Sequence, residues 1–139
     1  MKVKELWSDS DFEKMGWHDN RLYAISFPNE DFKLTLDIDY IFKWDRSIAN
    51  ELKFWVSPCD LVFENVSELK IETDFKDSLL LFISDIKRSN PRLSPNQNVT
   101  IWDYVIECDN GLLSFSVTGF KQLVRAQPIL SETQDLNRL

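Results

Sequence analysis

From Phe32 to Trp44 every even position is apolar: Phe32, Leu34, Leu36, Ile38, Tyr40, Phe42 and Trp44. The odd positions are mostly polar, with Asp31, Lys33, Thr35, Asp37, Asp39 and Lys43, and Ile41 is the departure. A helix would scatter the apolar set around its axis, whereas a strand places all of it on one face. The segment predicts a long strand with one greasy face and one wet face, as in an antiparallel sheet.

The rest of the chain supplies partners. Tyr23, Ile25 and Phe27 alternate with Leu22, Ala24 and Ser26, and Pro28-Asn29-Glu30 makes a turn. Residues 52–56 predict a strand ended by Ser57-Pro58, with 61–64 following and 69–72 alternating cleanly. Residues 79–83 are a continuous apolar run that suits a strand buried on both faces, or a short helix. Residues 89–98 read as a polar loop with two prolines, long enough for a mobile or binding loop. Thr100, Trp102, Tyr104, Ile106 and Cys108 alternate up to Asp109-Asn110-Gly111, a hairpin signal because Asn-Gly accommodates positive φ in a type I′ turn. Leu113, Phe115 and Val117 return on the next strand. Gly119 opens a last segment of undetermined type, and residues 131–139 form a polar tail with scattered leucines that docks or frays.

Helix is scarce. Residues 8–16 predict one short helix, with Ser8 or Ser10 as its cap, Ser10 and Glu13 fitting a capping box, and Gly16 as the stop. At 139 residues the chain fits one domain, with its core over 17–125 and a tail over 126–139. The expected class is mainly β: an antiparallel sandwich or a strongly bent half-barrel sheet with a short N-terminal helix. Three glycines are few for the sharp corners of a closed barrel.

The net charge of −7 and the sequence pI of about 4.7 narrow the partners. Nucleic-acid binding draws affinity from excess Lys and Arg, and anionic membranes attract cationic surfaces, so neither is expected. An acidic surface instead steers a basic partner, or simply keeps the protein in solution. Cys59 and Cys108 form no CxxC pair and no Cys/His cluster. The N-terminus carries no signal-peptide core, and no apolar run approaches the ~20 residues of a membrane helix. A cytoplasmic protein with reduced thiols is the expectation.

Few residues offer chemistry. His18 is the one histidine, and beside Asp19 it has the form of an oriented general base. The plainer account is a loop-to-strand junction anchored by Trp17. One histidine with scattered acids falls short of a zinc site, so no metal is expected. Asp37 and Asp39 point the same way from one strand, with side chains roughly 6–7 Å apart. Such a pair serves in glycoside hydrolysis or calcium binding, or is a solvated strand face. Glu72, Asp85 and Glu107 would extend an acidic patch if their strands adjoin. There is no phosphate-binding glycine loop and no dinucleotide fingerprint, so no cofactor is expected.

Trp17-His18-Asp19 leads into the first long strand. Later come Leu61-Val62-Phe63-Glu64-Asn65-Val66, then Tyr104-x-Ile106-Glu107-x-Asp109-x-Gly111, then Thr118-Gly119-Phe120. Across residues 17–125 this pattern resembles small single-domain bacterial proteins of uncharacterised function that are similar to immunity proteins of polymorphic toxin systems. The resemblance implies a protein that binds and neutralises a toxin of its own cell, and it carries over no catalytic residue. The expectation is a non-catalytic protein-binding domain, with Trp17, His18, Asp19, Asp37, Asp39 and Glu107 as surface candidates and a basic toxin as partner. An enzyme of unrecognised type, a small-ligand β domain and self-association into a homodimer are the alternatives.

Overall fold

The computed structural model describes residues 1–47 and 50–138. Ile48, Ala49 and Leu139, the last of these in the expected tail, lie outside the described residues. Among the described residues ten strands run β1 (Leu6–Ser8), β2 (Asn20–Ser26), β3 (Leu34–Asp45), β4 (Lys53–Glu64), β5 (Ser67–Thr73), β6 (Leu81–Leu93), β7 (Thr100–Cys108), β8 (Gly111–Val117), β9 (Gly119–Val124) and β10 (Ile129–Ser131). They form one antiparallel sheet in the order β1-β9-β4-β3-β2-β6-β7-β8-β5, with β10 added to β4, and the sheet does not close into a barrel. The chain is therefore mainly β, as its alternation requires.

The expected helix is a single 3-10 turn, Asp9–Lys14. Of the two candidate caps it is Ser8 that stands at the entry, where its N–H donates to Asp11 Oδ2 at 3.0 Å, and the box is made with Asp11 rather than by Ser10 and Glu13. Six residues leave no room for a full α-helical ladder, and 3-10 geometry serves such short pieces.

The long alternating strand is β3, but its pattern holds only between Leu34 and Phe42. Phe32 lies before the strand in a positive-φ turn and is exposed. A bulge between Ile41 and Lys43 inserts one unpaired residue, and an extra residue reverses which face the following side chains occupy. Leu34, Leu36, Ile38 and Tyr40 are buried on the core face. Beyond the bulge, Trp44 packs against Phe54, which belongs with Ile41 and Val56 to a second, smaller cluster on the outer face.

The two strands expected over 52–56 and 61–64 are one, Lys53–Glu64. Pro58 sits in the middle of β4 without breaking it, and its carbonyl still accepts from Arg125 N–H on the side of β9. The N and O of one strand residue point the same way, so the missing donor of Pro58 faces the gap between β9 and β10. Residues 79–83 also differ from expectation: the strand starts at Leu81, and Leu79 and Leu80 are exposed. β6 continues through Pro91 to Leu93 by way of a second irregularity between Ser89 and Arg92, which shortens the expected loop. The segment after Gly119 is strand β9.

The hairpin at Asp109-Asn110 is present, with Cys108 paired to Gly111. Neither turn residue has positive φ, so the turn is not type I′. Gly111 is needed for another reason: a Cβ there would stand 2.2 Å from the backbone oxygen of Glu72 on β5.

The core is an aromatic cluster. Phe63 on β4 lies 4.7 Å from Phe115 on β8 and 5.3 Å from Tyr104 on β7, between ring centroids. Those strands are far apart in the sheet order, so the sheet bends over its own core face. Trp17, Phe12 and Phe120 fill the open side, with tilted and edge-to-face contacts at 5.5–6.1 Å.

Candidate functional site

The wet face of β3 is not wet. The segment after β10 folds back across it. Leu136 packs against the Ile41, Phe54 and Val56 cluster. Two residues on, Arg138 lies over Asp37 and Asp39. Its Nη1 donates to both carboxylate oxygens of Asp37 at 2.8 and 2.9 Å, and its Nη2 donates to Asp39 Oδ1 at 2.6 Å and to the Ile38 carbonyl at 3.1 Å. Nε donates to Asp39 Oδ1 at 3.2 Å, so every guanidinium nitrogen is engaged. The guanidinium carbon stands 3.9 Å from the centre of the Tyr23 ring, a cation–π contact.

Asp39 is wholly buried beneath this arrangement. Its second oxygen accepts from the Tyr23 hydroxyl at 2.5 Å and from the Leu136 N–H at 2.8 Å. A buried carboxylate needs such a full complement of donors, since desolvation is otherwise unopposed. Asp37 also receives Arg125 Nη2 at 2.8 Å, and Arg125 reaches Asp60 on β4. Burial pulls the Asp37 carboxyl upward, but the hydrogen bonds from Arg138 and Arg125 outweigh it and hold it below the usual range. Burial, then the bond to Asp39, push the Tyr23 phenol well above its ordinary value. Arg21 Nη1 to Asp135 at 2.9 Å and Gln134 Nε2 to Asp19 at 3.0 Å fasten the returning segment along β2.

The predicted residues are divided by this arrangement. Asp37 and Asp39 do share one side of β3, as their spacing requires, and both face the notch that Arg138 fills. Asp19 touches its rim through Gln134. Trp17 is 3% exposed and belongs to the core, where its indole N–H donates to Gln122 Oε1 at 2.9 Å, so it is not a surface residue. His18 is exposed and its Nδ1 donates to the Ser84 carbonyl at 3.0 Å, while Nε2 lies 3.4 Å from Asp19. This is the plainer reading of the Trp17-His18-Asp19 junction. Glu107 lies on β7, three strands from β3, and pairs with Lys87 at 2.8 Å. It extends no patch from Asp37. Tyr23, Asp60, Arg125, Leu136 and Arg138 complete the notch and were not singled out by the sequence. Their one signal was the pair Leu136-x-Arg138 in an otherwise polar tail.

A second arginine makes a different site. Arg88 lies between the rings of Phe12 and Trp102, 4.2 Å from each centroid. Its charge partners are loose, Asp9 at 3.7 Å and Glu13 at 3.9 Å. Burial raises the Asp9 carboxyl above its ordinary value. Gly119 permits this approach, since a Cβ there would meet Asp9 Oδ2 at 2.6 Å.

Both cysteines are free, Cys59 buried and Cys108 half-buried, and burial pushes each thiol up to about 12. Among the described residues no group of three or more His, Cys, Asp or Glu side chains is placed to hold a metal ion, and no helix is long and apolar enough to cross a membrane. An open depression of about 430 Å³ lies along β5, β7 and β8, lined by mixed charged and apolar side chains including Lys70, Asp103 and Phe115. No protein-family model, curated protein or solved structure matches the chain.

Proposed function

We propose that this protein is a non-catalytic protein-binding domain whose outer sheet face, at the carboxylates of β3, receives a cationic partner. The observation that carries the reading is the notch itself. Asp37, Asp39 and the Tyr23 ring grip a guanidinium from both the edge and the flat side, which is the geometry of arginine recognition. The net charge of −7 adds long-range attraction for a basic protein. With the resemblance to immunity proteins, the partner class becomes a basic toxin that the domain neutralises in the cytoplasm by occlusion.

The test is affinity capture from the organism that makes the protein, with the wild type and an Asp37→Asn variant in parallel. A stoichiometric protein partner, held by the wild type and weakened tenfold or more by the variant, is expected. Recovery of no partner, including the product of any toxin gene beside its own, overturns the reading.

A further inference from the structure

The notch is already occupied by the chain that owns it. Three carboxylates, Asp37, Asp39 and Asp60, meet two guanidinium groups, Arg125 and Arg138. Arg125 follows directly on β9 and is tied to β4 by its N–H to the Pro58 carbonyl. Arg138 comes from a returning segment with few anchors: the three-residue strand β10, the Leu136 side chain, and the polar bonds of Asp135 and Gln134. Around those anchors the segment is half-exposed or exposed. Its recognition elements are an apolar residue seated on Ile41 and Val56, a backbone N–H to Asp39, and an arginine two positions later. None of them depends on the segment being covalently attached to this chain.

We infer that the Asp37–Asp39–Tyr23 notch is a receptor for a short apolar-x-Arg peptide segment, and that residues 131–138 are a resident competitor which a partner's segment of that chemistry displaces. This rests on the protein-binding reading above and names the recognised group. A tethered competitor acts at an effective concentration on the order of millimolar, so it weakens binding from outside without abolishing it. Apparent affinity falls by the fraction of molecules whose notch is open. A partner then has to supply more than a lone arginine, which makes the tail a filter against weak cationic contacts.

The probe is the synthetic peptide Ser-Glu-Thr-Gln-Asp-Leu-Asn-Arg, the sequence of residues 131–138. Titrated by calorimetry into full-length Arg138→Ala, it should bind at least tenfold more tightly than into the wild type. The same peptide with its arginine replaced by lysine should lose most of that affinity, because an ammonium cannot span two carboxylates and stack on Tyr23. A second measurement uses the wild type alone: the Arg138 side-chain Nε–H resonance should move toward its free position as peptide reaches millimolar concentration. Equal binding to both proteins, or no binding to Arg138→Ala, overturns the inference. So does an Arg138 signal that never moves, since the tail is then a fixed part of the fold. Peptide binding without a captured partner leaves the notch as an arginine receptor and removes the neutralising reading. A captured partner with an immovable Arg138 does the reverse.

Discussion

Arg88 and Arg138 are held by opposite means. Arg88 is clamped between two aromatic faces, with a side chain 13% exposed and, among the described residues, no carboxylate nearer than 3.7 Å. Arg138 has one aromatic face and short bonds from every nitrogen to two carboxylates and a carbonyl. The first joins the 3-10 turn to β6 and β7 and is fixed by packing. The second joins a terminal segment to the outer face of β3 and is fixed by charge. Packing contacts respond little to salt and protons, whereas a partly exposed ion pair such as Arg138–Asp37 competes with salt, protons and other guanidinium groups. The same residue type thus serves as a rivet at one place and as a latch at the other.

The largest effect that bears on this difference is at the rivet. Arg88→Ala removes two stacking contacts, each about 0.5–2 kcal/mol, and should lower global stability by about 2–3 kcal/mol. Urea denaturation reads this directly, and Arg88→Lys should recover little of it. Arg138→Ala should cost less, about 1–2 kcal/mol, because the terminal segment lifts with it and water re-solvates Asp37 and Asp39 in place of the guanidinium. Hydrogen exchange would localise that loss: amides of β10 and of Leu136 lose protection while those of β3 and β7 keep theirs. An Arg138→Ala variant that costs more than Arg88→Ala would erase the distinction. The next effect in size is ionic. In 1 M NaCl the screening length falls to ~3 Å, so the stability gap between wild type and Arg138→Ala should shrink while the Arg88→Ala gap stays within a few tenths of a kcal/mol.

Which of these features the sequence disclosed follows from where their causes lie. Alternation over Leu34–Phe42 and over β7 is a local property, and it located strands with their faces. The bulge at Ile41–Lys43 has no such mark, so alternation alone assigns Trp44 to the core face and the structure puts it on the other. Pro58 read as a strand end because the gap between β9 and β10 that tolerates it is made by segments more than 60 residues away. Gly111 read as a positive-φ turn residue, yet its smallness serves β5, whose approach no local pattern announces. The site shows the same division. Asp37 and Asp39 stood out because a two-residue spacing fixes their common side. Arg138 did not, since nothing in the sequence says that a polar tail returns about 100 residues to cover them. Trp17 reads as a surface candidate because tryptophan suits cores and interfaces alike, and its buried partner Gln122 is equally remote in sequence.

The smallest effect is the one that separates latch from rivet most cleanly, because its sign differs between them. Asp37 is held below its ordinary value by Arg138 and Arg125, against the pull of burial. The folded state therefore binds fewer protons there than the unfolded chain, whose carboxyl titrates near ~3.9. Its contribution is complete above about pH 5 and is lost as pH falls through the folded value. Asp9, beside Arg88, is raised by burial. The folded state binds more protons there, so its contribution is complete below the unfolded value and is lost as pH rises through the folded one. Asp37→Asn should accordingly flatten the acid limb of the stability curve between about pH 2 and 5. Asp9→Asn should steepen that limb, because it removes the one carboxyl of the pair that favours the folded state in acid. Urea midpoints of the two variants and the wild type, taken at half-unit pH steps, give the slopes. Slopes that change in the same direction would mean that both arginines are held by charge, and the contrast between them would be lost.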